Sequence, residues 1–359
     1  MKFSFTNDQH EFATGLRTLL EREFTASDLR VVWESGTGND AALWKRLAEM
    51  GVLSMMLPTA DGGLGGDFVD SVLLVEELGR AGVPGPVLET MTVGALALRG
   101  TQWAAGIADG SVAVTAALMG ERYVPHASSC VVLLIADGNA VRAIENPELS
   151  QSAIEGIDGG RRLSALAGTG TGTGTGAEAG DGSEAGDRAG SEAEAGDGSG
   201  TGTRGVVLAA DRDYLVDAGA LAASAYLLGL SSRMLAIAGD YARDRRQFGQ
   251  PIGSFQAVKH LMADALLKVE FARPAVYRAA WSHANGVETV GRDVSMAKAL
   301  ASDAAQKAVR SALQVHGAIG YTWECDLQLF MKKAWALIPA WGSASYHRRR
   351  VADAVLGPR

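Results

Sequence analysis

Apolar residues recur at helical spacing in two separate blocks of the chain. Near the start, Phe12, Leu16, Leu19 and Leu20 share one face of residues 7–24, and residues 43–50 and 69–78 continue the pattern. These predict a helical N-terminal region. In the second block, Leu221, Ala225, Leu228 and Leu235 line one face of residues 217–244, and Phe255, Val258, Met262, Leu266 and Val269 make a second stripe. Further helices are expected over 293–315, 326–336 and 343–356. The many Ala, Ser and Gly residues of 217–244 permit close helix contact, whereas Pro274 is expected to kink or break its helix. Between the blocks, residues 111–118 and 130–135 are short apolar runs that read as strands. The chain is therefore α+β and mostly α, with helices, a small β-region and then a bundle.

Two stretches follow neither period. Leu57-Pro58-Thr59-Ala60-Asp61-Gly62-Gly63-Leu64-Gly65-Gly66 is too rich in glycine for a helix and reads as an ordered turn or close-approach loop. Residues 168–203 contain only Gly, Thr, Ala, Glu, Asp, Ser and Arg188, with no branched aliphatic or aromatic side chain. Nothing apolar offsets the entropy of ordering such a segment, so it is expected to be a disordered insert. The expected division is 1–108 helical, 109–215 an abbreviated middle β-domain carrying the insert, and 216–359 a helical bundle. The insert also holds most of the net charge of −8, leaving the folded remainder close to neutral. With 33 Lys plus Arg against 41 Asp plus Glu, the chain lacks the positive excess of a nucleic-acid binder. Cys130 and Cys325 are too few for a disulfide framework and suit a reducing cytoplasm. Neither an export signal nor a membrane span is expected, and the six histidines show no metal-ligand spacing.

Three later segments place polar and glycine residues at the ends of apolar helices. The first, Arg245-Arg246-Gln247-Phe248-Gly249-Gln250-Pro251-Ile252-Gly253-Ser254-Phe255-Gln256, joins an arginine pair to an aromatic residue and a helix start. It could hold a phosphate beside a flat ring system, or it could be a solvated corner between two helices. The second, from Gln314 through His316 and Gly317 to Glu324, is a glycine-punctuated helix end, where His316 reads most simply as a hydrogen-bonded structural histidine. The third, Ala340-Trp341-Gly342-Ser343-Ala344-Ser345, holds a Ser cap before the last helix. The run Arg348-Arg349-Arg350, with Lys332 and Lys333, reads as a solvated basic face or as a contact for coenzyme A phosphates.

In order and spacing these segments, the Gly-Gly-Leu-Gly-Gly loop and Val75-Glu76-Glu77-Leu78-Gly79-Arg80 resemble the acyl-CoA dehydrogenase family of flavoproteins over nearly the whole chain. The resemblance implies an N-terminal α-domain, a middle β-domain and a C-terminal four-helix bundle, with FAD held across a subunit interface. It implies an acyl-CoA thioester as substrate and an electron-transfer acceptor. By position, Arg245 matches the arginine on the FAD pyrophosphate, and Phe248 and Gln256 match flavin-nucleotide contacts. Gln314, His316 and Gly317 match the segment meeting the adenosine side of a partner's FAD, and Ser343 and Ser345 match positions reaching toward it.

The family reaction needs a base for the proton alpha to the thioester carbonyl. By resemblance, the usual base position holds Trp341, which could simply plug that space, and a less common one holds Arg246. Neither an indole nor a guanidinium accepts a proton. Asp244 and Glu324 are the carboxylates left nearby in sequence, and Asp244 also reads as an exposed partner for a neighbouring arginine. The middle region passes directly from residues 112–118 to Met119-Gly120-Glu121-Arg122-Tyr123-Val124-Pro125-His126, without the strands the family uses around its flavin. The favoured expectation is a base-lacking subunit that shares FAD with a homologous dehydrogenase subunit in steroid degradation. The alternatives are a self-sufficient homo-oligomer with an unusual base, a non-enzymatic scaffold, and a flavin oxidase or monooxygenase built on the same fold.

Overall fold

The computed structural model describes residues 4–149, 154, 156–166 and 205–357; the expected insert at 168–203 lies outside them. Helices α1 (Asn7–Glu23), α2 (Ala26–Ser35), α3 (Ala41–Glu49) and α4 (Phe68–Ala81) open the chain. Their starts are fixed by side chains that satisfy free N–H groups. Thr6 and Gln9 form a reciprocal cap on α1, and the Asp67 carboxylate accepts from the N–H groups of Val69 and Asp70 at α4. The Gly62–Gly66 loop is an ordered turn: at Gly63 a methyl group would overlap the Leu57 backbone. A π-helical turn, Glu89–Gly94, runs into the short α5 (Ala95–Ala97), and α6 (Ala104–Asp109) leads to the sheet.

The β-region is small. Strands β1 (Val114–Ala117), β3 (Val132–Asp137), β4 (Ala140–Glu145) and β6 (Val206–Leu208) form one sheet in that order. β1 and β3 are parallel, and the other pairs are antiparallel. A two-stranded patch pairs β2 (Val124–Pro125) with β5 (Leu163–Ser164). Between β1 and β2 the described chain has six residues and no strand.

Helix α7 (Arg212–Asp244) is the axis of the molecule, packing on α4, α8 (Gln256–Ala284) and α9 (Val290–His316). Contrary to the expectation from sequence, α7 is long and apolar enough to cross a membrane by length and composition. In the structure it is a core helix, buried from Leu215 to Ser231. Glycine lets its neighbours approach: a methyl on Gly229 would overlap the Glu76 carbonyl of α4, and one on Gly79 the Tyr226 carbonyl of α7. α7, α8 and α9 with α11 (Ala344–Leu356) form the four-helix bundle, and α10 (Leu327–Leu337) packs across α7 and α9. The expected break at Pro274 is absent, since α8 runs unbroken from Gln256 to Ala284. The proline forfeits one backbone hydrogen bond, while Val269, Ala272, Val276 and Ala279 remain buried on either side of it.

The connection from α10 to α11 is tied to the bundle from within. Lys298, fully buried on α9, donates from Nζ to the carbonyls of Ile338 (2.8 Å) and Gly342 (3.1 Å) and to Ser302 Oγ (3.3 Å). Three oxygens match the three donors of an ammonium. His347 of α11 adds a second tie: Nε2 donates to the Trp341 carbonyl at 2.8 Å, and Nδ1 accepts from Ser295 Oγ at 3.1 Å.

Replacing Lys298 with Met leaves the Ile338 and Gly342 carbonyls without these donors, and urea denaturation should show a loss of roughly 2–4 kcal/mol. Burial pulls the Lys298 ammonium down to about 7. The unfolded chain therefore binds the proton through a pH window where the folded chain has released it. Stability should rise with pH from about 7 toward the ordinary lysine range, and that rise should be missing from Lys298→Met.

Candidate functional site

The sequence-selected residues fall into two groups at different heights on the bundle. The first gathers where α7 ends and α9 ends. Arg245 closes α7, its N–H donating to the Tyr241 carbonyl at 2.8 Å, and β7 (Arg246–Gln247) turns back on β8 (Gln250–Pro251) in a tight hairpin. At its tip Phe248 has φ +52° and is 91% exposed, followed by Gly249 at φ +79°. Gln256 opens α8, exposed, with Nε2 3.4 Å from His260 Nε2. From α9, the His316 ring stacks on Tyr241 with centroids 4.3 Å apart, and its Nδ1 donates to the Ala312 carbonyl at 2.8 Å. Burial lowers its pKa, so the ring is neutral and structural. Gln314 and Gly317 flank it on the exposed side, Gly317 supplying the positive φ of +67° that ends the helix.

Arg245 and Arg246 are both exposed and have no carboxylate partner among the described residues. Asp244 is also exposed without an ion pair among the described residues; the neighbouring Arg243 pairs with Asp240 instead. Two unneutralised guanidinia beside an uncovered aromatic ring form a surface suited to an anionic, partly flat ligand.

The second group lies on the α10–α11 connection. Ser343 caps α11, its Oγ accepting from the Tyr346 N–H at 3.2 Å, and Ser345, the second residue of the helix, is exposed. Trp341 is buried at φ +57°, and its ring lies flush on Gly219 of α7, where a methyl group would overlap the indole. The α7 position facing Trp341 is thus a glycine. Arg246 does not line the cavity beside Trp341, and neither do Asp244 or Glu324. Glu324 is exposed in the turn before α10, its carboxyl lowered by its own backbone N–H and by Thr322.

That cavity, about 350 Å³, is walled by Ala116, Met119, Pro125, Pro339 and Trp341 and carries Glu89, Glu121, Tyr123 and Arg161 on its polar side. Sequence reasoning missed Glu89. Its signal was a lone acid within the apolar residues 83–98. It is 4% exposed on the π-helical turn, and burial raises its carboxyl. Glu121 is exposed, and its Oε2 accepts from the Met119 N–H at 2.9 Å.

The basic run is not wholly a solvated face. Lys333 is buried against Asp158 at 3.1 Å, Arg350 forms a two-pronged pair with Asp217 (2.5 and 3.2 Å), and Arg348 pairs with Asp303. No cluster of His, Cys, Asp and Glu that could hold a metal exists among the described residues.

Comparison with known proteins agrees with this architecture. Residues 6–104 match the acyl-CoA dehydrogenase N-terminal domain and residues 214–356 its C-terminal domain. Acyl-CoA dehydrogenase IpdE2 of Mycolicibacterium smegmatis is 30% identical over 88% of this chain and 88% of its own length. The fold superposes on the ChsE4–ChsE5 complex of Mycobacterium tuberculosis with a TM-score of 0.81 and 22% identity over 100% of both chains. The Tcur3481–Tcur3483 steroid ACAD gives the same TM-score at 24% identity, over 97% of this chain and 98% of that one. With both domains matched and a relative alike over most of its length, this chain belongs to the acyl-CoA dehydrogenase family.

Proposed function

We propose that this chain is the base-lacking subunit of a heteromeric acyl-CoA dehydrogenase, taking part in the FAD-dependent α,β-dehydrogenation of an acyl-CoA of steroid breakdown in a reducing cytoplasm. The observation that carries this reading is Trp341. At the position where the resemblance expects the base, a buried indole fills the space against Gly219, and the α7 backbone there offers no side chain. Two structural neighbours, one named as a steroid ACAD and one as a two-protein complex, support the choice of partner and substrate class.

The two groups of residues support a shared flavin. Lys298 anchors the Trp341 loop and His316 marks the hairpin group, and eighteen helical residues separate them, about 27 Å along α9. A single chain therefore presents the groups far apart. Their partners in a complete site come from a second subunit. The hairpin group fits an FAD: Arg245 and Arg246 would take its phosphates, Phe248 and Gln256 its flat and polar parts, and Gln314 and Gly317 its far end. When bound, FAD supplies the hydride acceptor and an external electron-transfer acceptor reoxidises it. This chain binds and orients, while the partner supplies the base and the thioester cleft.

A second reading rests on Glu89. A carboxyl raised by burial and lining the same cavity as Trp341 is a candidate base, and a self-sufficient enzyme would use it.

Purified alone, the chain should carry little flavin and show no acyl-CoA-dependent dye reduction. Co-expressed with its partner, it should yield one FAD per pair of unlike chains; a yellow, active preparation of the chain alone would overturn the proposal. In the complex, Arg245→Gln should weaken flavin retention at least tenfold, roughly the worth of a charged hydrogen bond, read by flavin release on dilution. Glu89→Gln should leave turnover of the complex within about threefold; a fall of several orders of magnitude with flavin retained would transfer the base to Glu89.

A further inference from the structure

Glu89 and Arg161 line both the cavity beside Trp341 and a smaller space of about 30 Å³ bounded by His126, Asp158, Tyr226 and Lys333. Not every charged group on these two linings is paired in place. Asp158 is fully engaged: Oδ2 pairs with Lys333 at 3.1 Å and Oδ1 accepts from the Gly160 N–H at 2.9 Å. The Arg161 backbone N–H donates to the Asp158 carbonyl at 3.0 Å, yet its guanidinium has neither an ion pair nor a hydrogen bond among the described residues. His126, 4% exposed and at φ +58°, has a buried Nδ1 with no partner. The Tyr226 hydroxyl on the same lining donates instead to the Val83 carbonyl at 2.7 Å.

We propose that this cavity binds a compact carboxylic acid as its anion, with Arg161 gripping the carboxylate and the Trp341 wall covering the apolar body. The inference rests on the base-lacking reading, which leaves this chain's own cavity without a thioester to process. A guanidinium fork matches a carboxylate bidentately. Glu89, whose carboxyl burial raises, lies where the two linings meet, and the Tyr123 hydroxyl adds an O–H donor. Ala116, Met119, Pro125, Pro339 and Trp341 present an apolar surface to the rest of the ligand. Glu121 on the same lining disfavours a second negative charge, which selects monocarboxylates. The volume of about 350 Å³ lies at the small end of ligand pockets and suits a single ring or a short branched chain.

Cyclohexanecarboxylate is the probe, with cyclohexanecarboxamide as its neutral isostere, titrated calorimetrically into the full chain and into the complex with its partner. The acid should bind at least tenfold more tightly than the amide, and Arg161→Met should weaken the acid at least tenfold while leaving the amide unchanged. Arg161→Lys should recover part of the loss, and circular dichroism should show both variants folded. Absence of binding to the unaltered chain, equal binding of acid and amide, or equal binding to Arg161→Met would each overturn the inference. Flavin stoichiometry is measured on the same preparations. A flavin-bearing, active lone chain would sink the base-lacking reading, whereas loss of acid binding with one FAD per unlike pair would sink this inference alone.

Discussion

Much of the site geometry depends on a buried ammonium with no counter-ion of its own. Lys298 reaches two main-chain carbonyls and one hydroxyl, so its charge is met by dipoles. Such an arrangement satisfies every donor yet leaves the full cost of desolvation standing. The hydrogen bonds to Ile338 and Gly342 hold the α10–α11 connection in one place. Trp341 is held at positive φ, its carbonyl taken by His347 and its ring laid on Gly219. The wall of the cavity is therefore set by the bundle interior, and changes on the surface have little leverage over it.

The second constraint is steric. α4 and α7 meet backbone to backbone at Gly79 and Gly229, and α7 meets the Trp341 ring at Gly219. Three glycines on or against one helix set how closely the N-terminal helices, the bundle and the loop can approach. Their close packing brings the π-helical turn bearing Glu89 to the same cavity as a loop some 250 residues later in the chain.

The long helices were legible because their apolar faces recur over many turns, as in α1, α8 and α9. The glycine loop and the two apolar strands were legible for equally local reasons. What escaped depends on closure in three dimensions. Lys298 sits in a run of Ala, Ser and Lys that reads like any amphipathic helix, and nothing local announces that it points inward. Pro274 has a local cost that the surrounding bundle outweighs. α2 was missed because its ten residues make fewer than three turns, too short for its apolar face to recur, and Glu89 because a single acid in an apolar run looks like an interruption. Among the resemblance-derived positions, the hairpin group lies exposed at the ends of α7 and α9 apart from the buried His316. The carboxylates first considered as bases lie away from the cavity, and the acids that line it had not been considered.

The hairpin tip has a consequence for how the protein is made. Phe248 projects almost wholly into solvent on a stalk of positive-φ residues, next to two guanidinia without neutralising partners. A lone exposed ring is not a contiguous apolar patch, yet any surface that covers it gains the burial of a whole aromatic side chain without displacing a neighbour. The chain can thus be made and folded with the tip bare and have it covered afterwards.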